Sequence, residues 1–194
     1  VDHSRTMDEL IQLTVAGDRN AFEEIYQRTV PSIYRTVHFL IGESSDAEDV
    51  IQEIYIQVYK SLPKFKAGHP FQPWVTGIAV RQVNTYRRKR WRKFGLLQKA
   101  AILGREVETD FSEDVVKKLE NRELLLALEK LPYKLKQVII LLYLNEYSQE
   151  EVAGILGIPL GTVKSRLSAG LKKLRGTPWN MTPMLRKVEK RNGY

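Results

Sequence analysis

The chain contains no cysteine, which excludes disulfides and metal sites built on thiolates. Histidine is nearly as scarce. His3, His38 and His69 are isolated, so none has a second ligand or a nucleophile beside it in sequence. No apolar run approaches the roughly 20 residues that span a bilayer. Val138 to Leu144 is among the longest. No secretory signal pattern stands at the N-terminus. Strict apolar–polar alternation is also missing, which argues against strands. Acidic side chains are absent from position 152 to position 188. These absences exclude a disulfide-stapled secreted module, a thiolate metal site and a membrane-spanning protein. They leave an all-α cytoplasmic chain with no cofactor and no metal.

What is present is basic. The 194 residues carry a formal net charge of +8, and 43% are hydrophobic, enough for one or two small cores. Such a surplus favours polyanionic partners. It is distributed unevenly, and that unevenness is informative.

The run Ser148 to Leu167 reads as a helix-turn-helix. Ser148 and Glu151 form a capping-box pattern. Val152, Ile155 and Leu156 supply an apolar stripe, and Ala153 is small where a second helix crosses. Gly157 suits a turn that needs positive φ, and Pro159 suits entry into the next helix. Val163, Leu167, Leu171 and Leu174 then recur at helical spacing and mark a buried face. Gly161, Ser165, Ser168, Ala169 and Lys172 point the other way, with Thr162 beside them. Small and polar side chains let a helix lie close to base edges. Lys164 and Arg166 flank that face, where phosphates run. An ordinary helical hairpin with a solvated polar face is the competing reading.

Helical patterns fill most of the remainder. Met7 to Val15 is expected as a helix ended by Gly17. A second starts at Asn20 with Glu23, bends at Pro31 and ends near Leu40. A third starts at Ser45 with Glu48 and ends near Leu62 and Pro63. A loop from Lys64 to Pro70 leads to a fourth, from Phe71 to about Phe94. Helices from Leu119 to Leu131 and Lys134 to Leu144 precede the helix-turn-helix. Domain boundaries fall at 7–95 and 119–176, with an acidic linker at 96–118. Residues 1–6 read as a remnant of cloning ahead of Met7. Residues 177–194 form a tail whose Trp179, Met181, Met184 and Leu185 offer a partner-binding segment, although a loosely packed tail is the preferred reading.

Two stretches of opposite charge stand in the N-terminal half. Glu43, Asp46, Glu48, Asp49 and Glu53 cluster without a base. Asp49, Gln52, Glu53, Ile56 and Lys60 share the face opposite an apolar stripe of Ala47, Val50, Ile51, Ile54 and Val58. A solvated face is the bland reading. Ile56 in the middle of it favours a protein-binding surface. Downstream, Arg81, Arg87, Arg88, Lys89, Arg90, Arg92 and Lys93 follow one another without an acid. Phe71, Trp74, Tyr86, Trp91 and Phe94 are interleaved with the basic stretch. Basic residues grip phosphates and aromatic faces stack on exposed bases, a combination suited to single-stranded DNA. Trp74, with Val75 and Ile78, also sits at core spacing, so its packing reading stays open.

The order of these features resembles the extracytoplasmic-function class of bacterial sigma factors. The motifs are Asp46 to Glu53, then Phe71 to Ala79 with Trp74, then Leu131-Pro132 ahead of the helix-turn-helix. The similarity covers about Met7 to Leu174. It implies two helical domains and no catalysis by the chain itself. It implies three partners: core RNA polymerase, promoter DNA in duplex and single-stranded form, and an anti-sigma factor. Polymerase docking, on the clamp helices of the largest catalytic subunit, falls to Asp46, Asp49, Gln52, Glu53 and Ile56. The −10 contacts fall to Lys66, His69, Trp74, Arg81, Asn84, Arg87, Arg88 and Arg90. The −35 contacts fall to Gly161, Thr162, Lys164, Ser165, Arg166, Ser168, Ala169 and Lys172. Arg81 stands where family members often carry asparagine, so −10 readout is expected to differ here. A dimeric helix-turn-helix regulator acting without polymerase is the runner-up. It leaves the acidic helix and the aromatic-basic block unexplained. A nucleic-acid-processing enzyme is a third reading, and the missing catalytic constellation argues against it.

Overall fold

Thr6 and Glu9 open the first helix, α1 (Met7–Val15), with a reciprocal capping box. The Glu9 amide donates to Thr6 Oγ1 at 3.3 Å, and the Thr6 amide donates to Glu9 Oε2 at 2.6 Å. Those hydrogen bonds hold the Glu9 carboxyl below its usual range. Arg28 donates to the Arg5 carbonyl at 2.9 Å. Arg5 and Thr6 therefore take part in the fold, ahead of the boundary drawn at Met7. The structure is a computed structural model that describes residues 5–42, 46–100 and 127–175, with side chains described except at 93–100 and 175. No described residue is in a strand. The chain divides into two compact units, Val1–Val37 with Ser45–Ala101 and His38–Ser44 with Ile102–Tyr194.

In the first unit, Gly17 turns the chain with φ of 101°, and α2 (Arg19–Ile41) begins. Its cap is Asp18, not the expected Asn20. Asp18 Oδ1 accepts from the amides of Asn20 at 2.9 Å and Ala21 at 3.3 Å. Asn20 lies inside the first turn, where a side chain cannot reach back to the orphan amides. The helix continues through Pro31. α3 (Ala47–Ser61) follows with Asp46 before it, while Ser45 lies outside the described residues. A 3-10 turn, Leu62–Lys64, packs against α1 and α3. α4 (Phe71–Ala100) lies along α3 and runs past the expected end at Phe94. The first residues assigned to the linker, 96–100, thus continue a helix. The rest of that linker lies outside the described residues.

Leu10, Ile25, Ile33, Ile54, Val58, Leu62, Val75, Ala79 and Val83 are at most 1% exposed and form the centre of this unit. Each large side chain among them contributes about 1.5–3 kcal/mol by burial. A polar tie crosses the core, with Thr29 Oγ1 and the Tyr55 hydroxyl 2.8 Å apart. Burial pushes the Tyr55 hydroxyl up to about 12. The folded state thus prefers the neutral phenol. Its contribution is full below the unfolded value of about 10 and is lost as pH rises from there to about 12. Tyr55→Phe is expected to flatten that alkaline loss, read by chemical denaturation at stepped pH.

In the second unit, residues 127–129 are helical, and 119–126, the start of the expected helix, lie outside the described residues. Then come α5 (Tyr133–Tyr143), α6 (Gln149–Leu156) and α7 (Leu160–Arg175). Ala127, Leu128, Leu131, Ile139 and Leu174 cluster, with Tyr143, Leu167 and Leu171 packed against them. Gly170 marks the close approach of α7 to α5. A β-carbon there would meet Ile139 Cδ1 and Cγ1 at 3.2 Å and Leu135 Cβ at 3.7 Å. Gly170→Ala is expected to be near neutral. Its gain in helix propensity of about 1 kcal/mol offsets that crowding. Gly170→Val adds two methyls and is expected to cost about 1–3 kcal/mol by overpacking. Chemical denaturation of the full chain measures both.

Candidate nucleic-acid and polymerase interfaces

The helix-turn-helix is built by local hydrogen bonds. The Glu151 amide donates to Ser148 Oγ at 3.1 Å, and the Ser148 amide donates to Glu151 Oε2 at 2.7 Å. At the other end of α6 the Ile158 amide reaches the Ala153 carbonyl at 3.0 Å and the Gly157 amide reaches Gly154 at 3.3 Å. Gly157 has φ of 63°, completing a Schellman stop. The Pro159 carbonyl then accepts from Thr162 at 2.9 Å and Val163 at 3.2 Å, which starts α7.

α7 turns its faces as its spacing predicts. Val163 and Leu174 are buried, with Leu167 and Leu171 half-buried beside them. Gly161, Lys164, Ser165, Ser168, Ala169 and Lys172 are exposed, and Thr162 and Arg166 are half-exposed. Nothing lies within 4 Å of a β-carbon built at Gly161. Ser165 Oγ donates to the Thr162 carbonyl at 3.0 Å. The eight residues expected at a −35 element thus lie together on one accessible side of one helix, and α7 carries no acid.

The loop before α4 is pinned by aromatic rings. Phe65 packs on Phe71 at 5.3 Å and on Trp74 at 5.0 Å, and Phe71 and Trp74 stand 5.4 Å apart. Trp74 is therefore a half-buried anchor beneath the loop, in keeping with its core spacing. Lys66 and His69 are exposed on that loop. The His69 amide donates to the Lys66 carbonyl at 3.3 Å, and Gly68 has φ of 81°. Gln72 Nε2 donates to Ser32 Oγ, tying the start of α4 to α2.

Along α4 the basic residues separate into two faces. Arg81, Asn84 and Arg88, spaced by three and four, share one outward stripe. Arg81 and Arg88 are exposed there, and Asn84 is half-exposed. Arg90 follows buried Val83 by seven positions and leaves the helix on the side that packs against α3. Arg87 lies between and is half-exposed. Trp91 is 75% exposed, so its ring is available for stacking. Tyr86 is half-buried, and its hydroxyl donates to Asp46 Oδ2 at 2.6 Å.

On α3, Asp49, Gln52, Glu53 and Ile56 are all exposed, opposite buried Val50, Ile51, Ile54 and Val58. Asp46 differs from them. It is half-buried, with one carboxylate oxygen engaged by Tyr86. Ile56 is not a solitary apolar side chain. It borders an open groove of about 680 Å³ between α2 and α3, lined with Phe22, Tyr26, Tyr34 and Tyr59 among others. Tyr26 packs edge-on to Tyr55 at 4.5 Å, and Phe22 to Tyr59 at 5.0 Å. Tyr26, Tyr34 and Tyr59 are 39%, 38% and 49% exposed. The sequence reading missed this aromatic half of the surface. Its signal was there, since Phe22, Tyr26, Val30 and Tyr34 recur every four residues beside the core stripe of Ile25 and Ile33.

Among the described residues no cluster of histidines and acids is placed to hold a metal ion. No described helix is long and apolar enough to cross a membrane.

Residues 25–93 match the sigma-70 region 2 family, and residues 121–174 match the sigma-70 region 4 family. The chain is 32% identical over 169 residues to the ECF RNA polymerase sigma factor SigW of Bacillus subtilis (strain 168), covering 82% of this chain and 89% of that one. It is 30% identical over 169 residues to the ECF RNA polymerase sigma-E factor of Escherichia coli (strain K12), covering 81% and 86%. Among solved structures, the sigma factor RpoE bound to the anti-sigma factor NepR from Bartonella quintana superposes with a TM-score of 0.65 at 22% identity, over 79% of this chain and 94% of that one. CnrH in complex with the cytosolic domain of CnrY gives 0.63 at 22% identity, over 86% and 92%. These two likenesses concern the fold. The chain belongs to the extracytoplasmic-function sigma factors, the subunits that give bacterial RNA polymerase its promoter specificity.

Proposed function

We propose that three separate faces divide the work of promoter-specific initiation. The outer face of α3, with Asp49, Gln52, Glu53 and Ile56, docks on the clamp helices of the polymerase's largest subunit. The loop carrying Lys66 and His69 and the basic end of α4, with the stripe of Arg81, Asn84 and Arg88 and with Arg87 and Arg90 beside it, hold the −10 element and its melted strand. The outer face of α7 enters the major groove at the −35 element. Nucleotide addition stays with the polymerase, so the chain acts without catalysis or cofactor. It works in the cytoplasm beside the polymerase, and a protein antagonist restrains it by covering these faces. The observation that carries the reading is the chemistry of the three faces: one acidic and apolar, one basic and aromatic, one small and polar. A dimeric regulator would need only the last of them.

Gel filtration with core polymerase tests this proposal. The chain is expected to co-migrate with core as one copy. Failure to do so, together with dimeric binding to paired DNA half-sites, would favour the regulator instead.

The groove contacts of α7 separate by role. Arg166→Ala is expected to weaken −35 duplex binding on every sequence alike and to reduce the salt dependence by about one charge. Substitution of Thr162, Ser165 or Ser168 is expected to change the preferred bases instead. Competition binding against a −35 library reads both effects. A base preference untouched at all three positions would place the reading face elsewhere on the helix.

A further inference from the structure

We propose that Tyr86 is a positioning residue of the DNA grip, holding Arg90 in a fixed direction by anchoring it to Asp46, just ahead of the polymerase-docking helix. This rests on the reading of α4 as the −10 grip.

Asp46 stands at the N-cap position of α3, where an aspartate ordinarily accepts from the amides of its own first turn. Here it makes no such bond. Its backbone, at φ −86° and ψ 2°, is not the extended conformation that capping requires. The carboxylate is given to α4 instead, accepting the Tyr86 hydroxyl at 2.6 Å. Arg90 Nη1 in turn donates to the Tyr86 oxygen at 3.2 Å. The phenol thus accepts from a cation and donates to an anion. Each bond polarises the next in the favourable sense.

Arg90 is exposed, so an untethered side chain would sample many rotamers and lose that freedom on gripping a phosphate. Tethering removes part of the loss before DNA arrives, which is preorganisation. The tether ends at the N-cap of α3, whose outer face is the proposed polymerase surface. Neither Tyr86 nor Asp46 needs to touch DNA for this.

The test uses the full chain assembled with core polymerase. The probe is a fork DNA with a duplex −35 region and a single-stranded −10 strand, taken from a promoter selected by transcription of a random library. Tyr86→Phe keeps the ring and the net charge and removes only the hydroxyl. It is expected to weaken fork binding by about two- to tenfold, the range of one hydrogen bond's net contribution. Arg90→Ala is expected to weaken it at least as much. In the Arg90→Ala background, Tyr86→Phe is expected to add nothing, because the residue it positions is gone. Asp46→Ala should match Tyr86→Phe, and Asp46→Asn should retain most of the binding, since its amide oxygen still accepts. Core affinity and thermal midpoint should be unchanged by Tyr86→Phe. Independent losses from Tyr86→Phe and Arg90→Ala, no loss from Tyr86→Phe, or a loss traced to core affinity or melting would each overturn the role of Tyr86 while leaving the grip intact. No loss from Arg90→Ala would overturn this end of the grip and the Tyr86 proposal with it.

Discussion

Asp49→Lys combined with Ile56→Glu is expected to reduce affinity for core polymerase by a thousandfold or more. Both side chains are exposed on the outer face of α3, and Ile56 borders the aromatic groove with Tyr26, Tyr34 and Tyr59. Reversing a charge across a complementary interface costs several kcal/mol. Placing a carboxylate against an apolar groove adds the cost of desolvating it without a partner. A thousandfold corresponds to about 4 kcal/mol, which the two effects supply together. The fold itself should hardly respond, because exposed substitutions usually change stability by less than about 0.5 kcal/mol. Equilibrium titration of labelled core, alongside denaturation of the variant, separates the two. Unchanged core affinity would remove this face from the account.

Replacing Arg87 and Arg88 with alanine is the second large effect, a loss of promoter binding of about 10- to 100-fold. Each phosphate contact contributes a salt-dependent term with a slope of about 0.9 per charge on duplex and about 0.7 on a single strand. Removing both is expected to flatten the salt dependence by between one and two charges. Arg88 should account for more of it. Arg88 is exposed on the stripe with Arg81, whereas Arg87 is half-buried. The loop should behave differently. Lys66 and His69 sit on an exposed turn pinned from below by Phe65, Phe71 and Trp74. Alanine there is expected to hurt a fully paired promoter more than one already melted at −10. Melting has already met the unstacking cost that a capturing loop would otherwise help to meet. Open-complex formation on the two templates at one salt concentration measures this. Equal losses would show a loop that only holds DNA.

The parts of this protein that were legible in sequence are those whose cause is local. Ser148 and Glu151 are three residues apart, and Gly157 and Pro159 form a turn whose chemistry is written in four residues. The faces of α7 follow from a repeat of three and four. What escaped has its partner elsewhere in the chain. Tyr86 and Asp46 are 40 residues apart, and no pattern in either neighbourhood announces the other. The aromatic groove needs α2 and α3 side by side before Phe22 meets Tyr59. Gly170 reads as a weak point in a helix until Ile139 is seen against it. The misplaced cap at Asn20 is a different kind of error. Asp18, Asn20 and Glu23 offer overlapping capping signals, and only the backbone shows that Asp18 faces the first amides. α4 overran its expected end because Leu96, Leu97 and Ala100 favour helix and Gly95 alone does not stop it.

The most direct test of the central claim is transcription by purified core polymerase on a random promoter library, with and without this chain. The account predicts discrete start sites that appear only with the chain and lie downstream of a paired −35 and −10 sequence. It also predicts that Asp49→Lys with Ile56→Glu abolishes them. Transcripts that start without sequence preference, or discrete starts that survive that double substitution, would contradict it.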